Sequence, residues 1–79
     1  MSRSVADTVR QIAADIFGLP LYQVTDSTSP RNVADWDSVQ HLNFVLAIEA
    51  RLGVQFEPME IEKMQSIGET IRIATERAG

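Results

Sequence analysis

The residues with the most chemical potential in this chain are grouped at Trp36-Asp37-Ser38, with His41 three positions further on. Asp37 is of a type that caps a helix, and an apolar periodic stretch begins just after it. That places the Ser38 hydroxyl on a first helical turn, exposed and rigidly held. Unpaired backbone N–H groups and the helix dipole favour a phosphate at such a position. The chemistry that fits is a phosphodiester formed on the serine oxygen. Two other readings compete at the level of these residues alone. Ser38 can be an ordinary residue of a capped first turn. It can also pair with His41, the only histidine, as a nucleophile and base, but no third group or oxyanion hole can be named to complete that arrangement.

The elements that position these residues follow from apolar spacing. Val5, Val9, Ile12, Ala13, Ile16 and Phe17 form one stripe, with Ser4 as cap, Asp7 in the first turn, Gly18 as stop and Pro20 beyond it. The second helix runs from after Asp37 to Gly53. Val39, Leu42, Val45, Leu46, Ile48 and Leu52 make its broad apolar face, with Phe44 off centre, and Gln40 pairs with Asp37 in a capping-box arrangement. A short helix is expected from Pro58 to Met64, with Ile61 and Met64 facing inward; its length makes it the mobile element. The last helix begins at the capping box Ser66-Ile67-Gly68-Glu69 and turns Ile67, Ile71 and Ala74 inward. The connection from Gly18 to Trp36 is long; Leu19, Leu21, Val24 and Val33 are available to pin it, and residues 25–30 read as turn chemistry. The expected fold is all-α, a small four-helix bundle of three longer helices and one short one with a long first loop, in a single domain over residues 1–79.

Composition narrows the function classes. A chain of 79 residues buries only about 60–65% of the surface its unfolded form exposes, a thin core that suits a handle for other proteins better than elaborate catalysis. It has no cysteine, which excludes disulfides and thiolate metal sites, and no metal site is expected. The first seven residues lack the apolar run of an export signal, and no stretch approaches the roughly 20 apolar residues of a membrane span. The expectation is a soluble, cytoplasmic monomer. Net charge is −4, and the acid is central: residues 35–62 hold Asp35, Asp37, Glu49, Glu57, Glu60 and Glu62 against Arg51 alone. Such a field repels nucleic acid and anionic membrane and would steer basic partners to this segment; the competing reading of the same charges is an ordinary solvated helical surface.

The run from Asp35-Trp36-Asp37-Ser38-Val39 to Gly53 resembles the signature of the acyl carrier proteins, in which an Asp-Ser-Leu triplet opens the second of four helices. Here Val39 takes the third place. The resemblance spans nearly the whole chain, through Phe17-Gly18, Thr28-Ser29-Pro30, Glu60 to Met64 and Ser66-Ile67-Gly68. It implies a protein that is not an enzyme, whose Ser38, beside Asp37, receives 4′-phosphopantetheine from coenzyme A. A phosphopantetheinyl transferase using magnesium would attach it. The arm's thiol holds cargo as a thioester, and tethering replaces diffusion with a high effective concentration at each partner. The implied partners are that transferase, an acyl- or aminoacyl-loading enzyme and downstream transferases, in fatty-acid-like or specialised biosynthesis. The implied contact surface comprises Trp36, Val39, Gln40, Asn43, Leu46, Glu49, Glu57 and Glu60.

Several positions depart from the pattern of that family. Gln40, Asn43 and Ala50 stand where primary fatty-acid carriers commonly have acids, which weakens charge steering. Trp36 replaces a small residue and Asp35 a frequent glycine. With Ser29-Pro30 and Val33 upstream, this resembles stand-alone carriers of amino acids, hydroxy acids or small acyl groups. The Trp36 ring either closes the bundle on the first loop or contacts a partner. Phe56, Ile61 and Met64 lie where family members enclose an acyl tail, and Ile61 fills a place where a small residue is common. The cargo is therefore expected to be short or polar. A helical interaction module without an arm is the rival from another class.

Overall fold

A computed structural model describes residues 4–78. Four α-helices run in chain order: α1 (Val5–Phe17), α2 (Ser38–Leu52), α3 (Pro58–Lys63) and α4 (Ile67–Ala78). A 3-10 turn at Leu21–Gln23 interrupts the first connection, and the described residues contain no strand. Residues 1–3, where the reading for an export signal begins, lie outside the described part.

Each longer helix starts where a side chain takes an unpaired N–H. Ser4 Oγ accepts from the Asp7 N–H at 3.1 Å, Asp37 Oδ1 from Gln40 at 2.9 Å, and Ser66 Oγ from Glu69 at 3.1 Å. Helices α1 and α2 end on Gly18 and Gly53, both left-handed with φ of 65° and 66°. Only half of each expected capping box forms. The Gln40 side chain instead donates to the Ile16 carbonyl at 3.3 Å, filling an open acceptor at the end of α1. Glu69 turns to Arg72 at 2.8 Å, because a charged partner makes the stronger bond. A reciprocal contact does start α3, where Glu60 Oε1 accepts the Glu57 N–H at 2.9 Å.

The buried stripe of α1 is Val9, Ile12, Ala13, Ala14 and Phe17. The face of α2 differs from expectation. Phe44, Val45 and Ile48 are buried, whereas Val39, Leu42 and Leu46 are 68%, 54% and 60% exposed. Aromatic packing decides the rotation. Phe17 stacks on Trp36 at 4.6 Å between ring centroids, and Phe44 meets both, at 5.3 Å and 5.5 Å. Burying these large rings outweighs burying the three smaller aliphatics, which lie round the helix from Phe44. On α4 the inner face adds Thr70 and Ile73 to Ile67 and Ala74, with Ile71 half-buried; the Thr70 hydroxyl is satisfied by the Ser66 carbonyl at 2.8 Å.

The long first loop is ordered by burial and by α4. Val24, Thr28, Val33 and Trp36 are buried and Leu19 is half-buried, but Leu21 points outward and does not pin the loop. The Thr28 hydroxyl donates to the Gln23 carbonyl and accepts from the Thr25 N–H. The first N–H groups of α4 donate back to this loop, Ile67 to the Thr28 carbonyl at 2.9 Å and Gly68 to that of Asp26 at 3.0 Å. A Cβ on Gly68 would lie 3.2 Å from the Asp26 carbonyl oxygen and 3.3 Å from its Cβ. A side chain here would make the Asp26 backbone give by a few tenths of an ångström. Helix propensity alone favours Gly68→Ala by about 1 kcal/mol. Its expected outcome is instead a loss of about 1 kcal/mol, because the Asp26 backbone must retreat from the bond it accepts. Urea denaturation of the two proteins checks this, and a stabilised variant contradicts it.

Candidate functional site

Ser38 is the first residue of α2, and its side chain is exposed. It lines an open cleft of about 260 Å³ with Pro30, Trp36, Asp37, His41 and Gln65. Small-molecule pockets run to about 300–1,000 Å³ and enclose most of their ligand, whereas this cleft is smaller and open to solvent. Asp37 fixes where the helix begins: its side chain takes the Gln40 N–H and its carbonyl the His41 N–H at 2.8 Å. The N–H groups of Ser38 and Val39 have no protein acceptor among the described residues, as expected of the first turn of a helix.

Serine hydroxyls elsewhere in the described chain are engaged. Ser4 and Ser66 cap helices, Ser29 accepts from the Arg31 N–H, and Ser27 bonds Thr25. Ser38 alone has no protein partner for its hydroxyl among the described residues. A phosphodiester on that oxygen meets solvent, two open N–H groups and a helix N-terminus, so the residues present fit a phosphate-linked group.

His41 is not a base for Ser38. The Trp36 indole N–H donates to His41 Nδ1 at 2.9 Å, and His41 Nε2 lies 2.9 Å from the Ile61 carbonyl oxygen. With Nδ1 accepting, Nε2 carries the proton and donates, and both ring nitrogens are used. No acceptor is left for the serine proton, which removes the nucleophile–base reading. Trp36 and His41 stand immediately before the cap and on the fourth helical residue, the spacing of a hydrophobic staple. Their rings lie side by side and nearly coplanar, 21° between planes and 6.1 Å between centroids, as the in-plane hydrogen bond requires.

The remaining residues of the anticipated contact surface separate into two groups. Val39, Asn43, Leu46 and Glu57 are exposed. Trp36 is 4% exposed, which corrects its reading as a ring presented to a partner: it closes the bundle. Gln40, Glu49 and Glu60 are half-buried and engaged by other groups of the chain. Gln40 bonds Ile16 and accepts from Asn43; Glu49 accepts the Phe56 N–H at 2.8 Å; Glu60 forms a two-pronged pair with Arg77, its shortest contact 2.7 Å. Leu42, Pro30 and Gln65 belong to the site's surroundings and were not anticipated there. The exposure of Leu42 is foreshadowed by its spacing with Val39 and Leu46; nothing local marks Pro30 or Gln65, which reach the cleft from other loops. Among the described residues no group of His, Asp or Glu is arranged to hold a metal ion, and no helix is long and apolar enough to cross a membrane.

The sequence profile of the phosphopantetheine attachment site family matches residues 7–73. The chain belongs to the acyl carrier protein family. It is 22% identical over 71 residues to an acyl carrier protein of Saccharopolyspora erythraea, covering 90% of this chain and 75% of that one. It is 25% identical to the acyl carrier protein of Lactobacillus acidophilus, covering 85% and 84%, and 26% identical to polyketide-8 synthase acyl carrier protein 2 of Streptomyces avermitilis, covering 92% and 84%. Among solved structures, holo acyl carrier protein from Geobacter metallireducens shares the fold at a TM-score of 0.81 and 22% identity, covering 92% of this chain and 84% of that one. Acyl carrier protein from Enterococcus faecalis does so at 0.73 and 22%, covering 95% and 99%. An acyl carrier protein carries acyl groups on phosphopantetheine and leaves the chemistry to enzymes that act on them.

In this carrier the acidic middle is less free than its count implies. Hydrogen bonding from Arg77 and from the Glu57 backbone holds the Glu60 carboxyl below its ordinary value of 4.5. A carboxyl lowered on folding contributes stability above its unfolded value, and that contribution is lost as pH falls through the folded one. Wild type is therefore expected to exceed Glu60→Gln in urea midpoint at neutral pH, with the gap shrinking only below about pH 4.5. A gap that persists unchanged to acid pH speaks against the Glu60–Arg77 pair as its source.

Proposed function

We propose that Ser38 is the attachment point of the phosphopantetheine arm, and that this carrier serves short or polar acyl-type cargo. The observation that carries the first part is the Ser38 hydroxyl itself, exposed and unpartnered at the start of α2 while the other described serines are bonded. Attachment forms one Oγ–P bond and breaks the pyrophosphate link of coenzyme A, with adenosine 3′,5′-bisphosphate leaving and the hydroxyl proton passing to the transferase. Bound, the arm supplies a thiol for thioester formation. What this chain contributes is the anchor: Asp37 sets the helix start and Trp36, wedged between Phe17 and Phe44, holds it rigid. Incubation with coenzyme A, magnesium and a broad-specificity transferase is expected to add the mass of one phosphopantetheine to the intact protein and nothing to Ser38→Ala. An unmodified wild type supports the bare interaction module instead.

The partner surface follows from what remains exposed. Val39, Leu42 and Leu46 form an apolar stripe running from the arm's anchor along α2, with Asn43 beside it, and Met59 is exposed on α3. Exposed acids nearby are Asp35, Asp37, Glu57 and Glu62, since Glu49 accepts the Phe56 N–H and Glu60 is neutralised at the surface by Arg77. Apolar contact with weaker charge steering suits enzymes of specialised biosynthesis, a setting that the polyketide synthase relative of Streptomyces avermitilis supports. Loading would come from an acyl- or aminoacyl-transferring enzyme in the cytoplasm. A fatty-acid ketoacyl synthase is expected to turn over the acyl form of this carrier at least tenfold more slowly than its own, the equivalent of about 1.4 kcal/mol in the docked transition state. Equal rates refute this assignment.

A further inference from the structure

A second cleft adjoins the one at Ser38. It has a volume of about 430 Å³ and is lined by Ser27, Ser29, Pro30, Arg31, Gln65 and Ser66. Pro30 and Gln65 line both clefts, so one begins where the other ends. The open hydrogen-bonding groups of the second are mainly donors. Ser29 Oγ accepts the Arg31 N–H and Ser66 Oγ the Glu69 N–H, so each hydroxyl keeps its proton to give. The carbonyls of Asp26 and Thr28, on either side of Ser27, are already taken by the Gly68 and Ile67 N–H groups. The Arg31 guanidinium adds a fork of donors and a full charge. Arg31 is exposed, and no carboxylate among the described residues lies within ion-pair distance of it, whereas Arg10 pairs with Asp26 at 3.1 Å.

The two clefts offer opposite charge. With an arm on Ser38, the first holds two negative groups, the phosphodiester and Asp37, while the second holds Arg31. A free carboxylate at the end of the arm is therefore repelled from the first and drawn to the second. A guanidinium takes both oxygens of a carboxylate in parallel bonds, and the serine hydroxyls can add to them. An exposed pair of this kind is weak by itself. On a flexible arm anchored in the adjoining cleft it forms at an effective concentration on the order of millimolar. An aminoacyl cargo instead brings an ammonium group, which Arg31 repels, and a plain alkyl chain has nothing for these donors to bind. Gln65 donates its Nε2 to the Glu62 carbonyl at 2.7 Å, which leaves its Oε1 to accept an amide N–H of the arm at the shared wall. We infer that the cleft of Arg31, Ser29 and Ser66 is a binding site for the free carboxylate of a short dicarboxylic acyl cargo, folded back from Ser38 over Pro30 and Gln65. Resting on Ser38 as the anchor, this site narrows the polar cargo of the carrier to carboxylated acyl groups.

The test uses the intact protein in apo, holo, acetyl, succinyl and β-alanyl forms, made with a transferase from coenzyme A and its thioesters and confirmed by intact mass. The Arg31 Nε–H signal and the backbone N–H signals of Gln65 and Ser66 are followed by heteronuclear NMR. In the succinyl form all of them are expected to move away from their acetyl positions, and to return toward them when added sodium chloride screens the pair. The β-alanyl form should leave the Arg31 signal at its holo position. In Arg31→Gln the Gln65 and Ser66 signals should coincide between acetyl and succinyl forms. Arg31→Lys, which keeps the charge but loses the fork, should retain the succinyl shift in part. The Arg31 side chain is exposed and bonds no other described residue, so both variants are expected to keep the apo spectrum of the wild type elsewhere. Signals that move equally in acetyl and succinyl forms, or in neither, overturn the carboxylate site. An Arg31 signal that moves between apo and holo and no further assigns the guanidinium to the arm's phosphate and overturns the site as well. Succinyl shifts that survive in Arg31→Gln do the same by placing the carboxylate elsewhere. A wild type that gains no mass overturns the Ser38 assignment, and the cargo site with it.

Discussion

The site depends on one buried ring. Trp36 sits immediately before the residue that caps α2 and is packed between Phe17 from α1 and Phe44 from α2. Because the chain enters α2 directly from that ring, burying Trp36 fixes where the helix starts and which way its first turn faces. Ser38 then projects outward as a geometric consequence. A small residue at this place would leave the entry to α2 to be fixed by the Asp37 cap alone, a contribution of about 1 kcal/mol. A stacked tryptophan adds a large buried area and an indole N–H that must find an acceptor, which commits His41 as well. One side chain thereby settles the position of Ser38 and the state of its neighbour His41.

The opposite edge of α2 is organised by polar contacts. Helix α3 has no fully buried residue, but Ile61 packs half-buried against the core. His41 donates to the Ile61 carbonyl, Glu49 accepts the Phe56 N–H just before the helix, Glu60 pairs with Arg77, and Met64 plugs the core just beyond its end. Helices α1, α2 and α4 carry most of the core, and α3 lies at its edge, held by one half-buried side chain and these local contacts. Arg77 carries a further consequence. By pairing with Glu60 and lying 3.7 Å from Glu57, it places positive charge within the surface that the composition marks as acidic.

Much of this was legible in the order of residues, because the signals were local. The caps at Ser4, Asp37 and Ser66, the stops at Gly18 and Gly53 and the stripe of α1 depend on neighbours within a turn or two. The rotation of α2 was not legible, because apolar residues occupy both of its sides and periodicity cannot say which side meets the core. The deciding contacts, Phe17 and Trp36 against Phe44, come from separate segments. For the same reason the commitments of Glu49 and Glu60 escaped notice, since the partner of Glu60 lies 17 residues away. His41 is the instructive case. Its staple spacing to Trp36 was visible, yet the carbonyl that completes its hydrogen bonding, that of Ile61, becomes a neighbour only once α3 folds back.

That ambiguity in α2 has a physical meaning of its own. A helix whose only task is to close a core carries one apolar stripe and a polar remainder. Here Phe44, Val45 and Ile48 form the inward stripe, while Val39, Leu42 and Leu46, at spacings of three and four, form a second stripe left in water. Scattered exposed aliphatics are ordinary on a protein surface, but three aligned on one helix face beside an unpartnered serine are not scattered. The aromatic cluster selects the inward stripe and so obliges the other to face outward. The sequence feature that blurs the reading of the fold is then the one that gives α2 two apolar stripes, one packed into the core and one exposed beside Ser38.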